Sequence, residues 1–176
     1  MQPKQAKAGQ NMKEEKIIVR PVTPADVGFM VQLINDPDVT RYLPVMITDP
    51  EMMKSWILSL RTSDHEFIVE LEGTSIGECS LTCINEYAEI GFMLLPKYWR
   101  HGYGSQVVQR LLEKAGKLGI ATITAITDTD NEAAIKLLKK AGFLMERTGW
   151  MLKIPEEHME ETVPAGQHIA EFSIMI

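Results

Sequence analysis

The chain has 176 residues with 18 Lys and Arg against 24 Asp and Glu, a formal charge of −6 at pH 7. That balance argues against a nucleic-acid partner held by phosphate neutralisation, and gives at most a weak pull toward cationic ligands. A 45% hydrophobic content is enough for one buried core, while no apolar run approaches the roughly 20 residues that cross a bilayer.

Residues 1–15 are polar and lack the apolar segment of a secretion signal. They are expected to form a flexible leader ahead of a single domain over 16–176. The expected location is the cytoplasm, with no membrane partner. Cys79 and Cys83 lie four apart in a strand-like stretch. On an extended strand their Cα atoms would be ~13 Å apart, too far for a disulfide, which tolerates less than about 7 Å. Both are expected to be small buried apolar residues. No Cys/His set has zinc-site spacing, so no metal is expected.

In chain order, Lys16 to Arg20 reads as a short strand. Thr23-Pro24-Ala25-Asp26 supplies an N-cap hydroxyl, a proline at the first helical position and an acid in the first turn. The helix that follows should bury Val27, Met30, Val31 and Ile34 and stop before Pro37. Thr48-Asp49-Pro50-Glu51 has capping-box spacing and predicts a second helix to about Leu60. Three antiparallel strands come next: Phe67 to Leu71, Ser75 to Ile84 and Ala88 to Leu95, with turns at Glu72-Gly73 and Asn85-Glu86.

After Pro96 the period changes. Val107, Val108, Leu111, Leu112, Ala115 and Leu118 recur at helical spacing from Gly104 to Leu118, and Gly119 is a natural stop. Ile120 to Thr127 is β-branched and strand-like. Asn131 to Lys140 is a helix with Ala134, Leu137, Leu138 and Ala141 on one side. Phe143 to Ile154 and His168 to Ile176 read as strands joined by a polar loop. This order predicts a single-domain α/β fold, a mixed and mostly antiparallel sheet flanked by helices. The strand–helix–strand step from Ala88 to Thr127 should join neighbouring parallel strands by a crossover.

The loop entering the helix that runs from Gly104 to Leu118 carries the chemistry. Gly102 and Gly104 remove two side chains where that helix begins, so backbone N–H groups at the positive end of the helix dipole can approach an anion. Arg100 and His101 add charge at the rim. Close helix packing explains such a pair of glycines equally well. A dinucleotide fingerprint does not fit, because its third glycine would fall at Val107; a triphosphate loop does not fit either, since no Gly-Lys-Ser/Thr follows.

The segment Ala88-Glu89-Ile90-Gly91-Phe92-Met93-Leu94-Leu95-Pro96-Lys97-Tyr98-Trp99-Arg100-His101-Gly102-Tyr103-Gly104-Ser105 resembles the coenzyme-binding core of the GNAT N-acetyltransferases. It is most similar to their ribosomal-protein alanine/serine acetyltransferase branch, in which a tryptophan commonly occupies the slot of Trp99. Asn131 to Phe143 resembles the family's second signature, an Asn-led helix closing in Gly-Phe. Val19-Arg20-Pro21 and Asn35-Asp36-Pro37 fit the same branch. The resemblance spans about residues 16 to 153. It implies acetyl-coenzyme A as co-substrate and a primary amine as acceptor, either a protein N-terminal α-amine or a small molecule, with the enzyme a monomer or homodimer. By resemblance, Phe92, Met93 and Leu94 would run beside pantetheine. The amides of Arg100, His101, Gly102, Tyr103, Gly104 and Ser105 would take the pyrophosphate, and Asn131 would hydrogen-bond near the pantetheine or simply cap its helix.

Acetyl transfer needs a neutral amine. A lysine-like amine is only about 0.04% neutral at pH 7 and an α-amine about a tenth, so a base helps either. Glu89 is the candidate base because the branch often carries an acid in this Glu-Ile-Gly context; Glu86 and Asp128 are weaker alternatives. A strand N–H near Met93 or Leu94 would polarise the thioester carbonyl. The hydroxyl slots of many members hold Ala134 and Leu138 here, which cannot protonate a thiolate. Ser105, Tyr103, Tyr98 or water would have to replace them. Those two residues also keep open a second expectation, a catalytically weak acyl-coenzyme A sensor or scaffold of the same fold.

Overall fold

Entry into the first three helices is set by an aspartate close to a proline. The computed structural model describes residues 16–43, 49–60, 65–152 and 166–176. Asp36 accepts from the N–H groups of Asp38 and Val39 at the start of a one-turn helix, α2 (Pro37–Thr40). Asp49 accepts from Met52 N–H at 2.8 Å and opens α3 (Pro50–Ser59); the capping-box spacing puts the cap one residue earlier, at Thr48, which lies outside the described residues. Asp26 ends a 3-10 turn at Pro24–Asp26 that leads into α1 (Val27–Ile34).

The Asp26 carboxylate accepts from both Thr23 N–H and Thr23 Oγ1–H at 2.8 Å, and is fixed by Arg20, whose Nη2 lies 2.7 Å away. Arg20 also reaches Glu70 at 2.8 Å. Chiefly through the Arg20 hydrogen bond, the Asp26 carboxyl is held down at about 2. Arg20 sits on β1 (Ile17–Pro21), so this network ties the first strand to the first helix and to β2 (His65–Leu71).

The remaining strands are β3 (Thr74–Ile84), β4 (Tyr87–Leu94), β5 (Thr122–Asp128), β6 (Leu144–Leu152) and β7 (Gly166–Met175), with α4 (Tyr103–Lys117) and α5 (Glu132–Lys140) between them. One seven-stranded sheet runs in the order β1-β2-β3-β4-β5-β7-β6. All neighbours are antiparallel except β4 and β5, as the crossover predicts. The Glu72-Gly73 turn has both residues at positive φ, 50° and 78°, which suits the twist of a two-residue hairpin.

Alternation divides the sheet into two faces. Phe67, Val69, Cys79, Leu81, Ala88, Ile90, Leu94, Ile123, Ala125, Ala170 and Phe172 form the larger core with Val107, Val108 and Leu111 of α4 and Leu138 of α5. On the other face Ile68 packs with Met30 and Ile34 of α1 and Met53 and Ile57 of α3, with Met93 against them.

In α1 the expected Val27 and Val31 are only half-buried and Leu33 is fully buried instead, and two further positions expected in the core are exposed. Leu118 follows α4 at its C-cap and is 50% exposed. The chain reverses there, with Gly119 at φ 76° and Ile120 N–H donating to Ala115 O at 3.1 Å, so the helical stripe ends before Leu118 can reach the core. Cys79 is buried, whereas Cys83 is exposed. The two share a strand parity, but Cys83 lies one residue from the end of β3.

Candidate active site

β4 and β5 are joined by only three register pairs, Tyr87–Thr122, Ala88–Ile123 and Glu89–Thr124. Both strands continue past them, β4 to Leu94 and β5 to Asp128. Over those residues β4 keeps its β3 partners and β5 takes β7 on its far side. The two parallel strands therefore part after Glu89 and leave a wedge between their carboxyl ends. Each is followed by a helix, so the N-termini of α4 and α5 stand at the same end as the wedge. Such a point is where open α/β sheets take ligands.

The sequence-predicted residues gather here. Phe92 and Leu94 belong to the α4 face and Met93 to the α1/α3 face of the freed part of β4. A 3-10 turn, Pro96–Tyr98, leads into the loop. Arg100 stands at φ 63° and Gly102 at φ 85°. Gly102 is the N-cap of α4 and supplies the left-handed backbone that turns the chain into the helix. The first-turn amides of α4, those of Gly104 and Ser105 among them, precede any carbonyl that the helix can offer them. His101 and Ser105 are exposed, while Tyr103 is buried.

Gly104 has a second use. A Cβ there would stand 2.7 Å from Leu137 Cδ1 and 3.7 Å from Phe92 Cε2. Its missing side chain thus lets α4, α5 and β4 close on one another, so the packing explanation holds at Gly104 and the conformational one at Gly102. Asn131 caps α5, its Oδ1 accepting from Ala134 N–H at 3.1 Å. The cap engages Oδ1 and leaves the Nδ2 donors out of it.

Glu89 is the last β4 residue with a β5 partner, and it is half-buried on the face opposite α4. Loss of solvent, reinforced by Glu171 on β7, raises its carboxyl above the ordinary range. A carboxylate with a raised proton affinity, at the strand position where the wedge begins, is a stronger base than an ordinary carboxylate. Glu86 and Asp128 are not in the same position. Glu86 lies in the exposed β3–β4 turn, and Asp128 ends β5 and accepts from Asp130 N–H at 2.8 Å.

The sequence reading missed a second acidic feature. Glu78 of β3 is 6% exposed, between Ile68 and Met93 in register. Burial raises its carboxyl strongly, and the Glu66 carboxyl, hydrogen-bonded to it, adds to the effect. The signal was an acid inside Ser75-Ile76-Gly77-Glu78-Cys79; sequence alone did not say that both of its neighbouring strands would cover it.

Ala134 and Leu138 keep their expected inability to donate. Leu138 is 2% exposed and belongs to the core, so that position on α5 serves packing. Among the described residues no His, Cys, Asp and Glu gather in a group that could hold a metal ion, and no helix is long and apolar enough to cross a membrane.

Comparisons with known proteins agree with this arrangement. The acetyltransferase (GNAT) domain family matches residues 16–144. A Bacillus subtilis (strain 168) protein described as the uncharacterized N-acetyltransferase YoaA is 29% identical over 150 residues, covering 77% of this chain and 83% of the relative. A ribosomal-protein-alanine N-acetyltransferase from Brucella melitensis superposes with a TM-score of 0.73 at 18% identity, over 90% of this chain and 99% of that one. Spermidine N-acetyltransferase from Vibrio cholerae, solved with CoA and spermine, gives 0.71 at 21% identity, over 91% and 95%. With a sheet that parts after Glu89, a glycine loop at the head of α4 and a family match over most of its length, the chain belongs to the GNAT acetyltransferases.

Proposed function

We propose that the protein transfers the acetyl group of acetyl-coenzyme A to a primary amine, by direct attack of the amine on the thioester. The observation that carries this reading is the parting of β4 and β5 after the Glu89–Thr124 pair. An extended pantetheine can occupy that wedge and bond the freed edge of β4 at Phe92 to Leu94, as a strand would. The loop amides of Arg100 to Ser105, at the head of α4, suit the pyrophosphate. Asn131 stands at the start of α5, where the wedge opens.

Glu89 is the proton acceptor in this reading. The amine nitrogen bonds to the acetyl carbon, the carbon–sulfur bond breaks, and the amine proton passes to the Glu89 carboxylate. The departing thiolate takes a proton from water or from a nearby hydroxyl, with Ser105 the exposed one. A thiol of pKa about 8.5 leaves readily enough that a dedicated acid is not essential. In this reading a strand N–H near Met93 or Leu94 polarises the carbonyl.

Glu66 and Glu89 share the face opposite α4, which favours an acceptor carrying positive charge. Release of coenzyme thiol from acetyl-coenzyme A, measured with polyamines, other small amines and peptides with N-terminal alanine or serine, tests the reading. Release that depends on one amine class supports it. Tight coenzyme binding with no release above the buffer rate for any amine would instead make the protein a coenzyme-binding scaffold, which the apolar Ala134 and Leu138 favour.

A further inference from the structure

Trp99 does something its exposure does not lead one to expect. The residue is 43% exposed and belongs to none of the core clusters. Yet its indole Nε1–H donates to the carbonyl of Leu94 at 2.6 Å. Leu94 is the last residue of β4, and Trp99 is the first residue after the 3-10 turn. The bond therefore closes the connection between strand and glycine loop on itself.

Further contacts extend that closure to α4. The Trp99 carbonyl accepts from His101 Nδ1 at 2.7 Å, which requires the imidazole proton on Nδ1 because a carbonyl only accepts. The His101 ring stacks on Tyr103 with centroids 5.8 Å apart at 16°. Tyr103, the first residue of α4, meets Tyr98 edge-on at 6.4 Å. Within this ring of contacts Arg100 takes a left-handed φ of 63°, a conformation costing ~1–2 kcal/mol for a residue with a Cβ and kept only where its surroundings fix it.

We infer that Trp99 is a positioning residue that couples the two halves of the coenzyme site, its indole–Leu94 bond fixing the spacing between the strand that takes pantetheine and the loop that takes pyrophosphate. This rests on the coenzyme reading given above. Either half binds its own fragment without the bond. Only a fixed spacing lets both bind one molecule with full effect, because the second contact is then made at high effective concentration.

The test compares Trp99→Phe, which keeps a ring and loses the N–H, with Trp99→Gln, which keeps an N–H donor and loses the ring. Calorimetry on the full chain measures coenzyme A and, separately, its fragments pantetheine and adenosine 3′-phosphate 5′-diphosphate. Trp99→Phe should weaken coenzyme A by about tenfold while each fragment stays within about twofold, and Trp99→Gln should recover most of the loss. Coenzyme affinity unchanged in Trp99→Phe overturns the coupling role. So does an equal loss for the fragments, or a Trp99→Gln as weak as Trp99→Phe, since each would assign the residue to packing. A parent protein that binds no coenzyme A sinks the underlying functional reading as well, and is told apart by that measurement alone.

Discussion

Glu89 and Thr124 are the last residues that β4 and β5 share in register, so the strand position that ends the parallel ladder is also the one that carries the candidate base. Replacing Glu89 with Gln should lower turnover by at least about tenfold near pH 7 while leaving coenzyme affinity unchanged. Because desolvation and Glu171 raise the Glu89 carboxyl, activity should fall as pH drops through that raised value and the base becomes protonated. The deficit of the variant should shrink at high pH, where the amine loses its proton unaided. Superimposable pH–rate profiles for parent and variant would remove Glu89 from the mechanism.

Gly104 links cofactor loop and helix packing through Leu137, 2.7 Å from where its Cβ would lie. Gly104→Val should therefore lower both coenzyme affinity and melting temperature, the latter by overpacking of ~1–3 kcal/mol. Adding Leu137→Ala should return part of the stability that Gly104→Val removes. Thermal melts of the two single variants and the double variant measure this coupling; strictly additive losses would show that the two side chains do not meet.

Leu138→Tyr tests the slot that holds a tyrosine in many family members. With Leu138 2% exposed in the core, the phenol has no room, so the variant should lose ~1–3 kcal/mol and gain no turnover. A faster enzyme of unchanged melting temperature would contradict this placement and put position 138 beside the sulfur.

Glu78 makes a prediction about pH. Its carboxyl is raised in the folded protein, first by burial and then by Glu66. The native state thus holds a proton that the unfolded chain gives up at the ordinary carboxylate value. The stability this proton maintains is complete below the unfolded value and is lost as pH rises through the folded one. Glu78→Gln, which keeps the shape without the titration, should match the parent in acid and exceed it in melting temperature increasingly above the ordinary carboxylate range. A constant difference across the range would mean that Glu78 does not titrate as its burial requires.

Much of this protein is decided by its sequence alone. The helix starts at Thr23-Pro24-Ala25-Asp26 and before Pro50, the stop at Gly119 and the strand alternation in β2 to β4 rest on neighbours within a few residues, and local hydrogen bonding and side-chain parity settle them wherever the chain goes. The glycine loop was legible for the same reason, since Gly102 acts through its own φ. Tertiary structure decided what depends on residues far apart in the chain. The parting of β4 from β5 requires β7 to take the far edge of β5. The second task of Gly104 exists only because Leu137 arrives from α5. Leu118 and Cys83 carry the right apolar spacing and are exposed all the same, and Glu78 is buried because strands on both sides and the helices above it exclude water. Spacing along a chain fixes which face a residue takes, while burial and proton affinity follow from what packs over that face.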